Sequence, residues 1–497
     1  MRSIGLIVLV CLLSACTVGP DYKRPSVDVP TKFKEAPPGW KIADPQDAAD
    51  RGNWWEVFND PKLNQLETEL NKSNQNIANA AANYQQALAL VDQARAGYFP
   101  TISGVGSIFR QRQGNFGSSG VVSDSSGSSA GVSTGGSPRL SSGQFTSYSL
   151  LLTATWQPDI WGQVRRTVEA SASGAQASAA LMASTRLSQQ SLLAQTYFEL
   201  RALDTDQKLL DVTVQNYKES LQLTRYQYKS GVASQADVVQ ALAQLQAAQA
   251  QAIHNGIARA QYEHAIAVLI GKLPEQVTFA AMPLRAKPPR VPLIVPSTLL
   301  ERRPDVAQAE RLMSQANAQI GVAIAAFYPT IPIMATPSVQ NTDLGHLFTL
   351  PSLSWSVGGQ LAETIFDGGL RTSTVAAARA GYEASVASYR QTVLAAFQSV
   401  EDNLSSLRIL EQEGIVDQQA ANSARTALRL TMNQYRAGVV PYSSVIVSQT
   451  AAYTAEKTAA DNLGLQMTSA VGLITALGGG WQVCEACTLP PAKVPSF

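Results

Sequence analysis

The sequence predicts an α+β membrane protein in which long helices alternate with two β-hairpins, a chain that cannot close a pore alone. Three observations carry this expectation. The chain is an internal duplicate, each half holds a pair of segments with period-two hydrophobicity, and each half holds a run of more than 60 residues without proline. Composition agrees: charged residues make up 15% of the 497, against about 25% in ordinary globular chains. Ala, Gln, Ser and Leu are abundant instead, which favours long helices with mild, closely packable faces over a charged soluble enzyme. The formal net charge of +1 offers no basic surplus to condense on phosphates, so nucleic acid is excluded as a partner.

The duplication is read from three pairs of markers. Ala96-Gly97-Tyr98-Phe99-Pro100-Thr101-Ile102 matches Ala325-Ala326-Phe327-Tyr328-Pro329-Thr330-Ile331, at an offset of 229. Ile160-Trp161 matches Ile365-Phe366 at 205, each followed within five residues by Arg165 or Arg371. Gln227-Tyr228-Lys229-Ser230-Gly231-Val232 matches Gln434-Tyr435-Arg436-Ala437-Gly438-Val439 at 207. The drop in offset assigns about two dozen extra residues to the first copy, and residues 113–143 supply them: Gly and Ser make up 19 of those 31 positions. Such a tract buries too little to fold and reads as a long exposed loop. The second copy crosses the same point by a short connection over residues 341–350.

Each connection is flanked by strand-like arms. Tyr148, Leu150, Leu152, Ala154 and Trp156 alternate with Ser147, Ser149, Leu151, Thr153 and Thr155, and Leu353, Trp355, Val357, Gly359 and Leu361 alternate with Ser354, Ser356, Gly358 and Gln360. The preceding arms, residues 101–110 and 330–340, are weaker, the second being interrupted by Pro332 and Pro337. Strands of about ten residues, apolar on one face and small and polar on the other, suit a transmembrane barrel. A soluble sandwich strand shows the same period. Four strands are too few to close a barrel, since about eight is the smallest closed size, so a membrane barrel would need several chains.

The proline-free runs, residues 163–228 and 372–435, read as rods. Leu200, Leu203, Leu210, Val214, Tyr217, Leu221 and Tyr228 keep a three-four spacing with polar exceptions at Gln207 and Thr224; Leu404, Leu407, Leu428, Met432 and Tyr435 repeat it. At roughly 1.5 Å per residue, each rod is about 100 Å long, a length suited to crossing the periplasm. Shorter helices are expected over residues 61–96, 235–270, 305–326 and 443–477.

The first residues address the compartment. Met1-Arg2-Ser3 gives a short positive start, residues 4–13 are apolar, and Leu13-Ser14-Ala15-Cys16 ends the run with small residues before a cysteine. This reads as an export signal over residues 1–15, too short to span a bilayer. Its end resembles a bacterial lipobox, which implies that Cys16 becomes an acylated N-terminus; Thr17, where an Asp would retain the protein at the inner membrane, implies delivery to the outer membrane. No later apolar run reaches 18 residues, so any further crossing falls to β-strands.

Glu301-Arg302-Arg303-Pro304-Asp305, followed by Ala309-Glu310, Ala316-Asn317-Ala318, Ile320-Gly321 and Phe327-Tyr328-Pro329-Thr330-Ile331, closely resembles the central signature of outer-membrane factors of tripartite efflux systems, of the lipoprotein type. Thr17-Val18-Gly19-Pro20-Asp21-Tyr22 resembles the start of the mature lipoproteins, and Leu477-Gly478-Gly479-Gly480-Trp481 their end. The resemblance implies a homotrimer with a single twelve-stranded outer-membrane β-barrel, four strands per chain, continued by a twelve-helix periplasmic α-barrel inside a mixed α/β equatorial belt. It divides the chain into a lipidated N-terminal segment (16–60), a first repeat (61–271, hairpin about 99–157), an equatorial linker (272–300), a second repeat (301–477, hairpin about 328–366) and a tail (478–497). The implied function is passive: an exit duct for toxic compounds, driven by an inner-membrane pump of the RND type through a periplasmic adaptor, and anchored in outer-membrane lipid through Cys16. An exit duct for secreted proteins and a trimeric adhesive lipoprotein are the alternatives; the acyl anchor and the twin hairpins argue against them.

The same resemblance makes Gly231, Val232, Gly438 and Val439 the periplasmic tips at which the adaptor docks and the tunnel closes. Glycine fits the left-handed end of a helix there. The expected gate residues are Tyr228, Lys229, Asp237, Tyr435 and Arg436, with Asp237 held by Arg436 or Lys229; residues 439–447 hold no carboxylate, unlike the family's usual Asp rings. Pro304 and Asp305 suit the first turn of a helix, so the Arg302-Arg303-Pro304-Asp305 group reads as structural. No enzyme chemistry is expected. His254 and His264 stand ten apart on one helix, and His346 stands alone, which is no metal spacing; no phosphate loop or nucleophile elbow appears, and no cofactor is implied. Cys484 and Cys487 form a lone Cys-x-x-Cys for which a local disulfide is favoured in an oxidising periplasm.

Overall fold

The computed structural model describes residues 17–26, 33–35, 53–112, 144–284, 288–289 and 303–479. Cys16, Arg302, Cys484, Cys487, the signal segment, the Gly/Ser tract and about half of the expected belt linker lie outside them. After a 3-10 turn at Trp54–Phe58 come α1 (Pro61–Ser73), α2 (Gln75–Ala96), β1 (Thr101–Arg112), β2 (Gln144–Trp156), α3 (Gln163–Lys229) and α4 (Gln235–Leu269). The second half follows as α5 (Pro304–Ala325), β3 (Ile333–Asn341), β4 (Leu353–Gly359), α6 (Leu370–Arg436) and α7 (Tyr442–Ala476). The duplication holds element by element: α3 and α6 are each 67 residues long, and α4 and α7 are each 35. None of the described helices is long and apolar enough to cross a membrane.

Two units divide the chain, with boundaries inside α2, α3, α5 and α6. The first holds residues 17–20, 92–112, 144–168 and 319–376 among those described, and its centre is one antiparallel sheet in the order β1-β2-β3-β4. The register puts Ile108 opposite Tyr148, Leu150 opposite Val339, and Val339 opposite Leu353. One face is therefore apolar across all four strands. The other carries hydroxyls that pair across strands: Thr101 with Thr155 at 2.7 Å, Ser107 with Ser149 at 2.6 Å, Ser338 with Ser354 at 2.7 Å, and Thr336 with Ser356. Pro337 does lie within β3, opposite Trp355. The β2–β3 ladder skips it, pairing Leu151 with Ser338 and resuming at Ala154 with Ala335, because proline brings no N–H to that side.

Each hairpin is followed by a charged helix start. The Asp159 carboxylate accepts from the Val164 and Arg165 N–H groups at 2.8 and 2.9 Å and meets Arg165 Nε at 3.3 Å. Asp367 likewise accepts from Gly369 N–H and meets Arg371 Nε at 2.6 Å, so the matched arginines of the two repeats share a structural job. The N-terminal residues 17–20 form a strap against this unit. Arg166 donates to the carbonyls of Val18 and Gly19 at 3.3 and 3.2 Å. Gly19, with φ +104°, lies so close to α5 that a Cβ there would stand 2.5 Å from Gly321 Cα.

The second unit packs the long helices. Its largest apolar cluster joins Trp55, Leu63 and Leu70 to Phe198 of α3, Ile266 of α4 and Val471 of α7. The single helix expected over residues 61–96 is two. Asn74 breaks it with extended backbone, ψ 124°, because its side chain outcompetes the helix: Oδ1 accepts from Asn76 and Ile77 N–H at 2.9 and 3.1 Å, while Nδ2 donates to the Leu269 carbonyl at 2.8 Å. After a 3-10 turn at Pro274–Gln276, the chain to Leu284 is held by buried charges instead of a strand. Arg201 and Arg259 donate to the Ala280 and Phe279 carbonyls at 2.9 and 2.7 Å, and Asp204 and Glu263 accept from Met282 and Phe279 N–H at 2.9 and 2.7 Å. Arg303 grips both oxygens of Asp305, at 3.0 and 2.6 Å, and donates to the Ala476 carbonyl at the C-terminus of α7. The Arg303-Pro304-Asp305 part of the signature is thus a helix-to-helix clasp.

Candidate functional site

Two features of the chain are built for something outside it: the helical tips and the open edges of the sheet. At the first tip, Val232 N–H donates back to the Gln227 carbonyl at 2.8 Å and Gly231 N–H to Tyr228 at 3.0 Å, with Gly231 at φ +74°. At the second tip, Val439 donates to Gln434 at 2.9 Å and Gly438 to Tyr435 at 3.0 Å, with Gly438 at φ +72°. Both are the double-bonded left-handed stop that glycine alone adopts without strain. Val232 and Val439 project outward, 67% and 71% exposed.

The tips differ in how the returning helix starts. Ser234 caps α4 in a reciprocal box: its Oγ accepts from Asp237 N–H at 3.1 Å, and Asp237 accepts from Ser234 N–H at 2.9 Å. Pro441 opens α7 with no side-chain cap. The expected pairing of Asp237 with Lys229 or Arg436 is not made within the chain, since the carboxylate is taken by Ser234, and both basic side chains are exposed. Tyr228 is also exposed, at 47%, whereas Tyr435 is buried at 5%.

What joins the two hairpins is a buried polar contact instead. Tyr435 Oη donates to Thr224 Oγ1 at 3.0 Å, Thr224 passes its own hydrogen to the Ser220 carbonyl at 2.9 Å, and Gln449 Nε2 reaches Ser220 Oγ at 2.9 Å. Gln227 Nε2 adds a bond to the Tyr435 carbonyl at 3.4 Å. Burial, offset in part by the Thr224 bond and reinforced by Asp237, raises the Tyr435 phenol above its usual pKa. Tyr442 lies against it, ring centroids 5.4 Å apart, with its own hydroxyl buried and unpartnered. Sequence reading missed Ser220, Tyr442 and Gln449. The signal was the polar break at Thr224 in an otherwise apolar seam; Gln207, the other break, accepts from Asn255 at 3.0 Å.

At the sheet, β1 and β4 are edges. The apolar face beside them stands open: Ile102, Ile108, Trp355 and Val357 are 73%, 70%, 73% and 66% exposed. Water would not tolerate such a face on a lone soluble chain. Lipid would, provided the edges found partners. The three histidines take no part. His254 and His264 are exposed on α4, and His346 meets Asp343 at 2.7 Å in the short β3–β4 connection. Among the described residues no three candidate metal ligands gather.

These tips, rods and apolar-faced hairpins suit a membrane channel, and comparison with known proteins shows which kind. Residues 66–272 and 295–479 match the outer membrane efflux protein family, and the chain belongs to it. It is 30% identical over 486 residues to the probable efflux pump outer membrane protein TtgC of Pseudomonas putida, covering 96% of this chain and 95% of that one. It is 26% identical to the cation efflux system protein CusC of Escherichia coli, covering 95% and 97%. The solved outer-membrane channel OprN superposes with a TM-score of 0.80 at 26% identity, over 94% of this chain and all of that one. The chain is accordingly an outer-membrane efflux channel, located in the outer membrane and extending into the periplasm, as the sequence led one to expect.

Proposed function

We propose that three copies of this chain form one passive exit duct for a tripartite pump, with twelve strands in the outer membrane and the helical tips closed until a periplasmic adaptor engages them. The observation that carries this is the four-stranded sheet, apolar on one face, hydroxyl-lined on the other and open at both edges. Four strands cannot enclose a lumen, whereas three sets can. Energy comes from the inner-membrane partner, which we take to be of the RND type. Relatives named for cation efflux and for a less specified efflux pump match nearly the whole chain, which suits a duct that leaves cargo choice to the pump. Acylation at Cys16 anchors the assembly, and Cys484 and Cys487 form a local disulfide in the tail. Gly231, Val232, Gly438 and Val439 meet the adaptor. The gate is held by the Thr224–Tyr435 contact and the capped start of α4, with Tyr228, Lys229 and Arg436 lining the rim.

The test is the purified lipoprotein in detergent and in planar bilayers. A species three times the chain mass, labelled by palmitate in a Cys16-dependent way and giving small closed-state conductance, is expected. A monomer without conductance would remove the reading. Export of a secreted polypeptide instead of small molecules by cells carrying the chain would move it to the protein-secretion alternative.

A further inference from the structure

The two helical tips carry charge of nearly one sign. Residues 220–253 and 418–455 hold five basic side chains, Arg225, Lys229, Arg425, Arg429 and Arg436, and one acid, Asp237. Arg425 is taken by Glu456 at 2.7 Å. The other four are exposed, and the Asp237 carboxylate is bound by Ser234. Four cations against that one acid leave a formal +3 at the tips of a chain whose net charge is +1, so the rest of the chain carries −2. Helix ends explain only part of this. Lys229 and Arg436 close α3 and α6, where a cation suits the negative end of the dipole, but that effect fades beyond the last turn and leaves Arg225 and Arg429 unexplained. The same rule favours acids where the returning helices start, and α7 has none in its first turn.

We infer that the closed periplasmic mouth of the assembled duct is anion-selective, and that Arg225, Lys229, Arg429 and Arg436 of each copy determine this. It rests on the channel reading above, in which three copies bring their tips to one opening. At about 1.5 Å per residue, Lys229 and Arg436 stand about 3 Å along the helix from their tip glycines, Arg225 about 9 Å and Arg429 about 14 Å. The Debye length at 0.1 M salt is about 10 Å. Tyr435 and Thr224 hold the two tips side by side, so these fields overlap. A narrow aperture lined by one sign of charge concentrates counter-ions and excludes co-ions, and the closed mouth, as the narrowest point in series, sets the preference of the whole path. The sheet offers no counterweight. Arg110 and Arg112 are the only charged residues in the described strands, and the register puts both on the apolar face with Ile108, so the hydroxyl face carries none. Once the adaptor widens the mouth past a Debye length, the centre of the path is screened and cargo choice returns to the pump.

Reversal potentials of the full-length protein in planar bilayers under a KCl gradient test this. Near 0.1 M KCl, chloride should be favoured over potassium by about threefold or more, because a potential of one kT already changes local ion concentration by that factor. The preference should fade at about 1 M, where the Debye length is about 3 Å. Lys229→Glu/Arg436→Glu, which turns the excess at each tip pair negative, should reverse the preference. Arg225→Gln/Arg429→Gln should weaken it, and Lys72→Gln on α1 should leave it unchanged. A parent channel that favours potassium, or a chloride preference that survives both double variants, would overturn the inference while leaving the channel reading intact. A protein that forms no conducting channel would overturn both.

Discussion

Asp237 looks in the sequence like a gate charge awaiting a basic partner, and in the folded chain it is the third residue of a reciprocal cap with Ser234. A cap of this kind is worth about 0.5–2 kcal/mol. We therefore expect Ser234→Ala and Asp237→Ala each to loosen the first tip and raise closed-state conductance, and the double variant to add little to either. Fully additive effects would assign the carboxylate a separate partner across the assembly. Glu67 was silent in the sequence. It is fully buried on α1 with both oxygens unpartnered, and burial lifts its pKa from 4.5 to about 9. A carboxyl raised on folding contributes its stability below the unfolded pKa and loses it as pH climbs through the folded one. Glu67→Gln should accordingly melt above the parent at pH 8 and converge with it near pH 4.5; equal melting at both values would place a charged partner beside it. The Pro304-Asp305 helix start was legible because its spacing is local. A buried acid was not, because only packing decides which face of a short helix meets the core.

At the scale of elements, the period of hydrophobicity found the long helices and strands closely, since each is governed by contacts along a single face. The break at Asn74 escaped it. Leu63, Leu66, Leu70 and Ile77 keep a helical three-four-seven spacing across residue 74, and the break depends on the Leu269 carbonyl, 195 positions away, being there to receive Asn74 Nδ2. Asn74→Ala should cost about 1 kcal/mol for the cap alone, and more for the orphaned carbonyl, with faster amide exchange over the first turn of α2. Unchanged exchange there would mean that packing, and not the cap, sets the break. Pro337 shows the converse. The sequence rightly marked β3 as weakened, but cross-strand pairing on its other side, with β4, carries the strand through.

At the scale of the whole molecule, the proposed duct puts the apolar sheet face in lipid and the open edges against copies of the chain. Trp355, on that face and 73% exposed, should lie among acyl chains, while Trp54 and Trp55 are buried. Trp156 shares that face through the β2–β3 register, so in vesicles containing brominated lipid Trp355→Phe should lower the fluorescence quenching and Trp355→Phe/Trp156→Phe should remove most of it; quenching unchanged in both would place the face elsewhere. Duplication, helix lengths, strand pattern and the tip glycines were determined by the sequence itself, because each follows from local spacing and backbone freedom. Tertiary structure alone decided that Asn74 divides the first long segment into two helices, and that Tyr435 and Thr224 bind the two helical hairpins together. Those outcomes depend on which distant residues arrive beside a given side chain, and no spacing along the chain encodes that.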